Sequence, residues 1–253
     1  MKIEVLDHGY VELIECWGHG RDGYSEGTPA DPDAVLGADY EVGIVEAARQ
    51  STQGSFRGWD RDAKLLEYLY SHRHDTPFEF AGLVVEVQAP IFVFREWHRH
   101  RTQSYNEMSA RYAPLPDLYY RPTRAIVENR IWDAYTTRNL QAQAASPVAR
   151  DESKTYTAGS WIDQVKDLYD KAEDLYQQAL ASGIPKELAR IVMPVGHYSR
   201  MRASANLRNW LSFLTLRTAP QAQWEIRQYA DAVGKIIAEC FPNTWKLFNT
   251  ESK

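Results

Sequence analysis

Apolar positions recur along this chain with two periods, and the two periods divide it into strands and helices. Residues 2–6 and 10–17 alternate and read as two strands broken at Asp7-His8-Gly9, a turn signal. Residues 18–38 are rich in Gly, Asp and Pro and read as a long loop. A short helix is expected over 40–50, then a loop from Thr52 to Gly58. A helix at about 60–71 takes Asp60 as its N-cap and buries Leu65, Leu66 and Leu69. Thr76-Pro77 stops it. Gly82 to Val87 (GLVVEV) is rich in β-branched residues and reads as a buried strand. Ala89-Pro90 opens a helix that would carry Arg95 and Arg99 on one face, four residues apart. Tyr105 to Tyr112 reads as a loop leading to a short strand.

A helical segment is expected over 124–143 and a polar loop over 146–159. The clearest helix follows, capped by Ser160. Ile162, Val165, Leu168, Tyr169, Ala172, Leu175, Tyr176 and Ala179 trace its apolar stripe, and Gly183 and Pro185 end it. Pro185 opens a short helix with Glu187 and Arg190, stopped at Pro194. Residues 197–205 read as strand and 206–217 as helix. Thr218 and Gln221 form a capping-box pattern for a helix that buries Ile226, Tyr229, Ala230, Val233, Ile236, Ile237 and Cys240. A last helix runs over about 242–249. With no repeat and no dividing linker, the 253 residues read as one α/β domain.

Composition narrows the class. Hydrophobic content of 44% and charged content of 25% suit a soluble globular protein. The net charge of -5 argues against a general nucleic-acid or membrane-surface binder. No apolar run reaches the ~18 residues of a membrane span. The two cysteines, Cys16 and Cys240, lie in apolar periodic segments and suit a reducing cytoplasm as buried thiols.

Against this acidic background, Arg95 to Tyr112 (REWHRHRTQSYNEMSARY) concentrates four arginines, two histidines and two glutamates directly after the apolar run Leu83–Phe94. Arg99, Arg101 and Arg111 form an oxyanion set, since a guanidinium fork matches phosphate and keeps its charge. Surface salt bridges with Glu96 and Glu107 are the alternative. His98 and His100, two positions apart on a helix, would point about 200° from each other, which spoils chelation, so no metal site is expected. Arg208 and Arg217, nine residues apart on one helix, point in nearly opposite directions and would serve two ligands or two subunits. With no GxGxxG, Walker loop or G-x-S-x-G elbow, the residues alone describe an α/β protein that binds phosphate-bearing small molecules.

The run RHRTQSYNEMSARY from Arg99 resembles the RHRxxSxNExSxRY pattern of the flavin-dependent thymidylate synthases, the ThyX family. HDTPFE from His74, PKELARIVMP from Pro185 and NLRNWLSFLTLRTAPQAQWEIRQYA from Asn206 resemble the same family in the same order. The likeness covers about 1–17, 40–120 and 160–250; residues 18–38 and 125–158 look like insertions. It implies a one-domain α+β fold with a mixed antiparallel sheet packed with long helices, and a homotetramer whose sites are shared between subunits. It implies FAD between subunits, methylenetetrahydrofolate as carbon donor, NADPH as reductant, and C5 methylation of dUMP without an enzyme cysteine.

By position, the resemblance gives Arg99, Glu107, Ser109, Arg111 and Arg190 to the nucleotide. Arg217 would meet the pyrimidine and favour its N3-ionised form, with Ser109 beside it as the other catalytic residue. Ser51, Thr76, Arg99, His100, Arg101, Asn106, Asn206 and Arg208 would contact FAD. His74 would lie by the flavin where folate and NADPH enter. Four positions depart from the family pattern. Glu96 stands for a common Gln beside the nucleotide and Phe80 for His; Ser212 and Gln221 stand for Asn and His near the flavin. A carboxylate at 96 could accept a hydrogen bond from a ribose hydroxyl, as in a PolB-like branch that methylates UMP as well as dUMP for nucleoside antibiotics. The alternatives are flavin-dependent hydroxymethylation of the same carbon, or an inactive flavin- or nucleotide-binding homologue.

Overall fold

The computed structural model describes residues 1–20, 39–52, 54–128 and 157–251. The expected loop 18–38 and the segments 124–143 and 146–159 therefore lie largely outside the described residues. Among the described residues five strands form one antiparallel sheet in the order β1-β2-β3-β5-β4. They are β1 (Lys2–Val5), β2 (Gly9–Trp17), β3 (Gly82–Pro90), β4 (Ser104–Glu107) and β5 (Tyr198–Asn206). β3 runs three residues past the expected end because β5 pairs with it along its whole length, from Gly82↔Asn206 to Pro90↔Tyr198.

Nine helices are described: α1 (Val42–Arg49), α2 (Trp59–Ser71), α3 (Ile91–Trp97), α4 (Arg124–Glu128), α5 (Ala158–Ala181), α6 (Lys186–Ala189), α7 (Leu207–Arg217), α8 (Trp224–Cys240) and α9 (Pro242–Glu251). α8 is the spine. Ile226, Tyr229, Ala230, Val233, Ile236, Ile237 and Cys240 are all buried, as its periodicity predicts, in one core with Val85, Val87, Trp97 and Phe213. Cys16 on β2 and Cys240 on α8 are free, buried and adjacent, Sγ to Sγ 2.6 Å. No helix among the described residues is long and apolar enough to cross a membrane.

Several local expectations are corrected. Gly58, at φ 90°, precedes α2 in a conformation open to glycine, so Asp60 lies in the first turn and is not the N-cap. α5 is capped by Thr157, whose side chain accepts from Ser160 N; Ser160 is the reciprocal partner of the capping box, three residues in. Thr218 Oγ1 donates to Leu214 O at 2.7 Å, which ties it to the end of α7. α8 begins only after Gln223, so Thr218 and Gln221 form no capping box. The stripe of α5 is narrower than expected. Ala172 and Tyr176 are buried, whereas Leu168 and Leu175 are exposed.

Candidate active site

α3 is short, and that shapes the site. Its seven residues end at Trp97, which is fully buried and donates from Nε1 to Gln103 Oε1 at 2.9 Å. Trp97 also packs on Phe213 with ring centroids 4.6 Å apart. The chain then turns, and Tyr105 Oη closes the turn by donating to His100 O at 2.7 Å and to Trp97 O at 3.2 Å. Arg99 therefore lies in a turn beyond α3 and shares no helical face with Arg95. Ser104–Glu107 is the edge strand β4, paired Asn106↔Arg202, so the strand precedes the loop instead of following it. His98 and His100 separate as the sequence requires, for a different reason. His98 is the helix's C-cap residue, with its ring 4.9 Å from Tyr105, while His100 in the turn sits 4.9 Å from Phe213.

This turn meets the C-terminal end of α7 in a three-residue cluster. Arg217 Nη1 donates to Glu96 Oε2 at 2.7 Å, Nη2 to Glu96 O at 2.9 Å and Nε to His100 Nε2 at 2.8 Å. His100 must be neutral to accept that bond, with its proton on Nδ1. Burial and the Arg217 cation push its pKa down to about 4, partly opposed by Glu96.

Behind α3 lies a cleft of about 390 Å³, lined in part by Arg95, His98, Glu107, Ser109, Arg190 and Ser199. Ala110 and Leu115 also line it and pack in a small second core with Tyr176 of α5 and Ala189 of α6, which fixes the loop that carries Ser109. His98 Nε2 is buried without a hydrogen-bond partner, a donor or acceptor that the protein leaves for something else. Among the described residues Arg95, Arg99, Arg101 and Arg190 make no ion pair, and all four are exposed. Arg111 instead pairs with Glu187, Nε to Oε2 3.1 Å.

A third cluster surrounds the start of α7. Asn206 caps the helix, its Oδ1 accepting from Asn209 N at 2.9 Å. Arg208 pairs with Asp75 at 3.1 Å and Glu79 at 3.6 Å beside a groove of about 120 Å³ shared with Arg73, Ser212 and Thr215. Ser212 Oγ is turned back to Arg208 O at 3.1 Å. Thr76 and His74 are exposed on the neighbouring 3-10 turn and its approach, with the His74 ring 5.6 Å from Tyr68. Ser51 is exposed in the turn after α1, and Gln221 is exposed before α8.

The predicted site residues thus fall into three groups on one chain, not one pocket. α7 carries Arg208 to one and Arg217 to another, as their nine-residue spacing requires. Sequence reasoning did not assign Arg95 or the orphaned His98 to the cleft, although both stand inside the polar run. It also did not assign Asp75 and Glu79 as partners of Arg208; their signal was two carboxylates in the HDTPFE segment. The donor set fits phosphate-bearing ligands, since unpaired guanidiniums, a serine hydroxyl and an unsatisfied histidine nitrogen converge.

A sheet edge bearing an Arg-His-Arg turn, a polar cleft and a helix with arginines on opposed faces suit the binding of phosphate-bearing small molecules. The family model described as "Thymidylate synthase complementing protein" matches residues 37–243. The chain is 34% identical over 248 residues to a flavin-dependent thymidylate synthase of Thermotoga neapolitana, covering 98% of this chain and 94% of the relative. It is 35% identical to that of Thermus thermophilus, covering 98% and 78%. The chain belongs to the flavin-dependent thymidylate synthase family, enzymes of the flavin-using methyltransferase class. Within it, the chain is similar to the UMP/dUMP methylase PolB from Streptomyces cacaoi. The structure bound with 5-Br dUMP superposes with a TM-score of 0.74 at 29% identity, covering 98% of this chain and 97% of that one. The structure bound with 5-Br UMP gives 0.71.

Proposed function

We propose that this enzyme methylates uracil nucleotides at C5, converting dUMP to dTMP and UMP to 5-methyl-UMP. Methylenetetrahydrofolate is the carbon donor and NADPH the reductant. The observation that carries this reading is the held guanidinium of Arg217, a fixed cation at the mouth of an Arg-His-Arg turn with N–H groups still free.

In this reading Arg95, Arg190 and Ser109 in the cleft bind the nucleotide phosphate and sugar, joined by Arg99 from the turn beyond α3, and Glu107 borders the cleft. Arg111 exchanges its exposed Glu187 partner for the nucleotide. Arg217 donates to the polar edge of the pyrimidine, where preorganised donors lower the cost of charge developing on the ring. Arg101, Asn106, Asn206, Arg208, Thr76 and Ser51 hold the flavin, with Ser212 and Gln221 at its margin. His74 borders the entry for folate and NADPH. FAD, when bound, supplies the reducing equivalents that turn the transferred carbon into a methyl group. No thiol takes part: Cys16 and Cys240 are both buried.

Because one chain separates the three groups, the complete site is assembled between copies in a homotetramer. The exposed apolar residues Leu168, Leu175, Leu188, Ile191 and Val195 support this as a subunit contact. The enzyme works in the cytoplasm. Ribonucleotide use is supported by the likeness to a methylase whose structures hold both 5-Br dUMP and 5-Br UMP. The purified protein should be yellow, and NADPH oxidation should respond to dUMP and to UMP. Turnover with dUMP and none with UMP would remove the ribonucleotide half of the proposal.

A further inference from the structure

The chain has two cysteines, and the fold brings them together. Cys16 stands next to last in β2 and Cys240 is the last residue of α8, 224 residues further on. Their Sγ atoms face each other 2.6 Å apart, and among the described residues neither side chain has another hydrogen-bond partner. Both positions are fixed by their elements. Cys16 pairs with Leu83 across the sheet, and Cys240 lies between Ile237 and Phe241, both fully buried. Tyr40, buried beside both sulfurs, packs edge-on against Phe241 with ring centroids 6.2 Å apart. The next residue, Glu41, holds the start of α9 through Asn243 and Thr244. The two thiols therefore sit where β2, α8, α9 and the segment before α1 converge. Neither has a task in the proposed reaction. Among the described residues no group of three His, Cys, Asp or Glu side chains could hold a metal, so metal binding does not account for the pair.

We infer that Cys16 and Cys240 are a disulfide-forming pair, a staple between the end of β2 and the end of α8. The co-reactant is a low-molecular-weight disulfide. A Cys16 thiolate attacks it, forms a mixed disulfide and releases one small thiol; Cys240 then attacks Cys16 Sγ and expels the second. The two cysteines lose two electrons and two protons, and the small disulfide is reduced to two thiols. Cys16 is the entry point because it is 8% exposed against 2% for Cys240. The hydrogen bond to Cys240 and burial hold the Cys16 thiol above its ordinary range, so little thiolate exists in the closed protein and exchange proceeds through local opening. The same burial shields the finished bond from the thiols of a reducing compartment. Closing so long a loop restricts the unfolded chain, so the staple stabilises the fold.

The test uses the flavin-loaded wild-type enzyme. It is incubated with oxidised glutathione in native buffer, and again in urea just below the unfolding midpoint, where local opening exposes both thiols. It is then unfolded in alkylating agent and weighed. The reduced chain should take up two alkyl groups. The oxidised chain should take up none and be two hydrogen atoms lighter. Its melting temperature should rise by on the order of 10 °C. In Cys16→Ser and in Cys240→Ser, oxidised glutathione should leave the melting temperature unchanged. Two alkylated thiols after both incubations would overturn the inference. So would a bond between chains, glutathione retained on one cysteine, or a disulfide that brings no rise in melting temperature. A rise that persists in either serine variant would overturn it as well.

Discussion

Arg217 is held at all three of its side-chain nitrogens, so in the proposed reaction its contribution depends on neighbours that do no chemistry themselves. Arg217→Ala should lower kcat by about 10²–10³-fold, the cost of losing one preorganised donor, while the flavin absorbance is retained. Wild-type turnover in that variant would remove Arg217 from the site. His100 makes the cluster sensitive to acid. Its folded pKa is depressed from 6.5 to about 4, so its contribution to stability is present above pH 6.5 and is lost as pH falls through about 4. His100→Gln offers an acceptor that does not titrate. Between pH 6.5 and 4 the wild-type melting temperature should fall more than that of His100→Gln; parallel curves would contradict the assignment. At this scale the sequence was most informative about chemistry that the chain places close together, as in Arg99 to Arg111. It was silent on the Arg217–Glu96 pair, whose members stand 121 residues apart and meet only because α7 ends against the turn after α3.

Elements were legible where burial repeats with a helical or strand period, as in α8, β5 and α2. Ends were harder to read where the capping group comes from elsewhere in the fold. The start of α9 is a case. Glu41, fully buried before α1, accepts from Asn243 N at 2.9 Å, Asn243 Nδ2 at 2.8 Å and Thr244 N at 2.6 Å. It satisfies orphan N–H groups of a helix 202 residues away. No local pattern at Pro242 could reveal that cap. Glu41→Ala should destabilise the protein by about 1–3 kcal/mol by stranding those donors, read by denaturant unfolding. A change within error would show that water replaces the carboxylate. α5 shows the opposite kind of miss. Leu168 and Leu175 fit the helical stripe by position, yet α5 packs against α4, α6 and the Arg190–Val192 turn, and both leucines stay exposed.

For the whole molecule, that exposed face and the three separated polar groups both support the proposal that the site is completed between copies of the chain. Leu168→Glu combined with Leu175→Glu should lower the mass measured by light scattering below that of a tetramer and reduce turnover with it. An unchanged mass would mean that subunits meet on another surface. Fold class could be read from the periodicity, and reaction class from the family resemblance that the Arg-His-Arg run, the Pro185 segment and α7 carry in contiguous residues. Their division into three groups was legible only in part, in the opposed directions of Arg208 and Arg217 on α7; the rest depends on where α3 stops. The most direct test of the central claim is the mass of the product formed from dUMP, methylenetetrahydrofolate and NADPH by the flavin-loaded enzyme. The nucleotide should gain one methyl group and no oxygen, with its C5 hydrogen lost. A product carrying an added hydroxyl, or no product from an enzyme that binds flavin and dUMP, would contradict it.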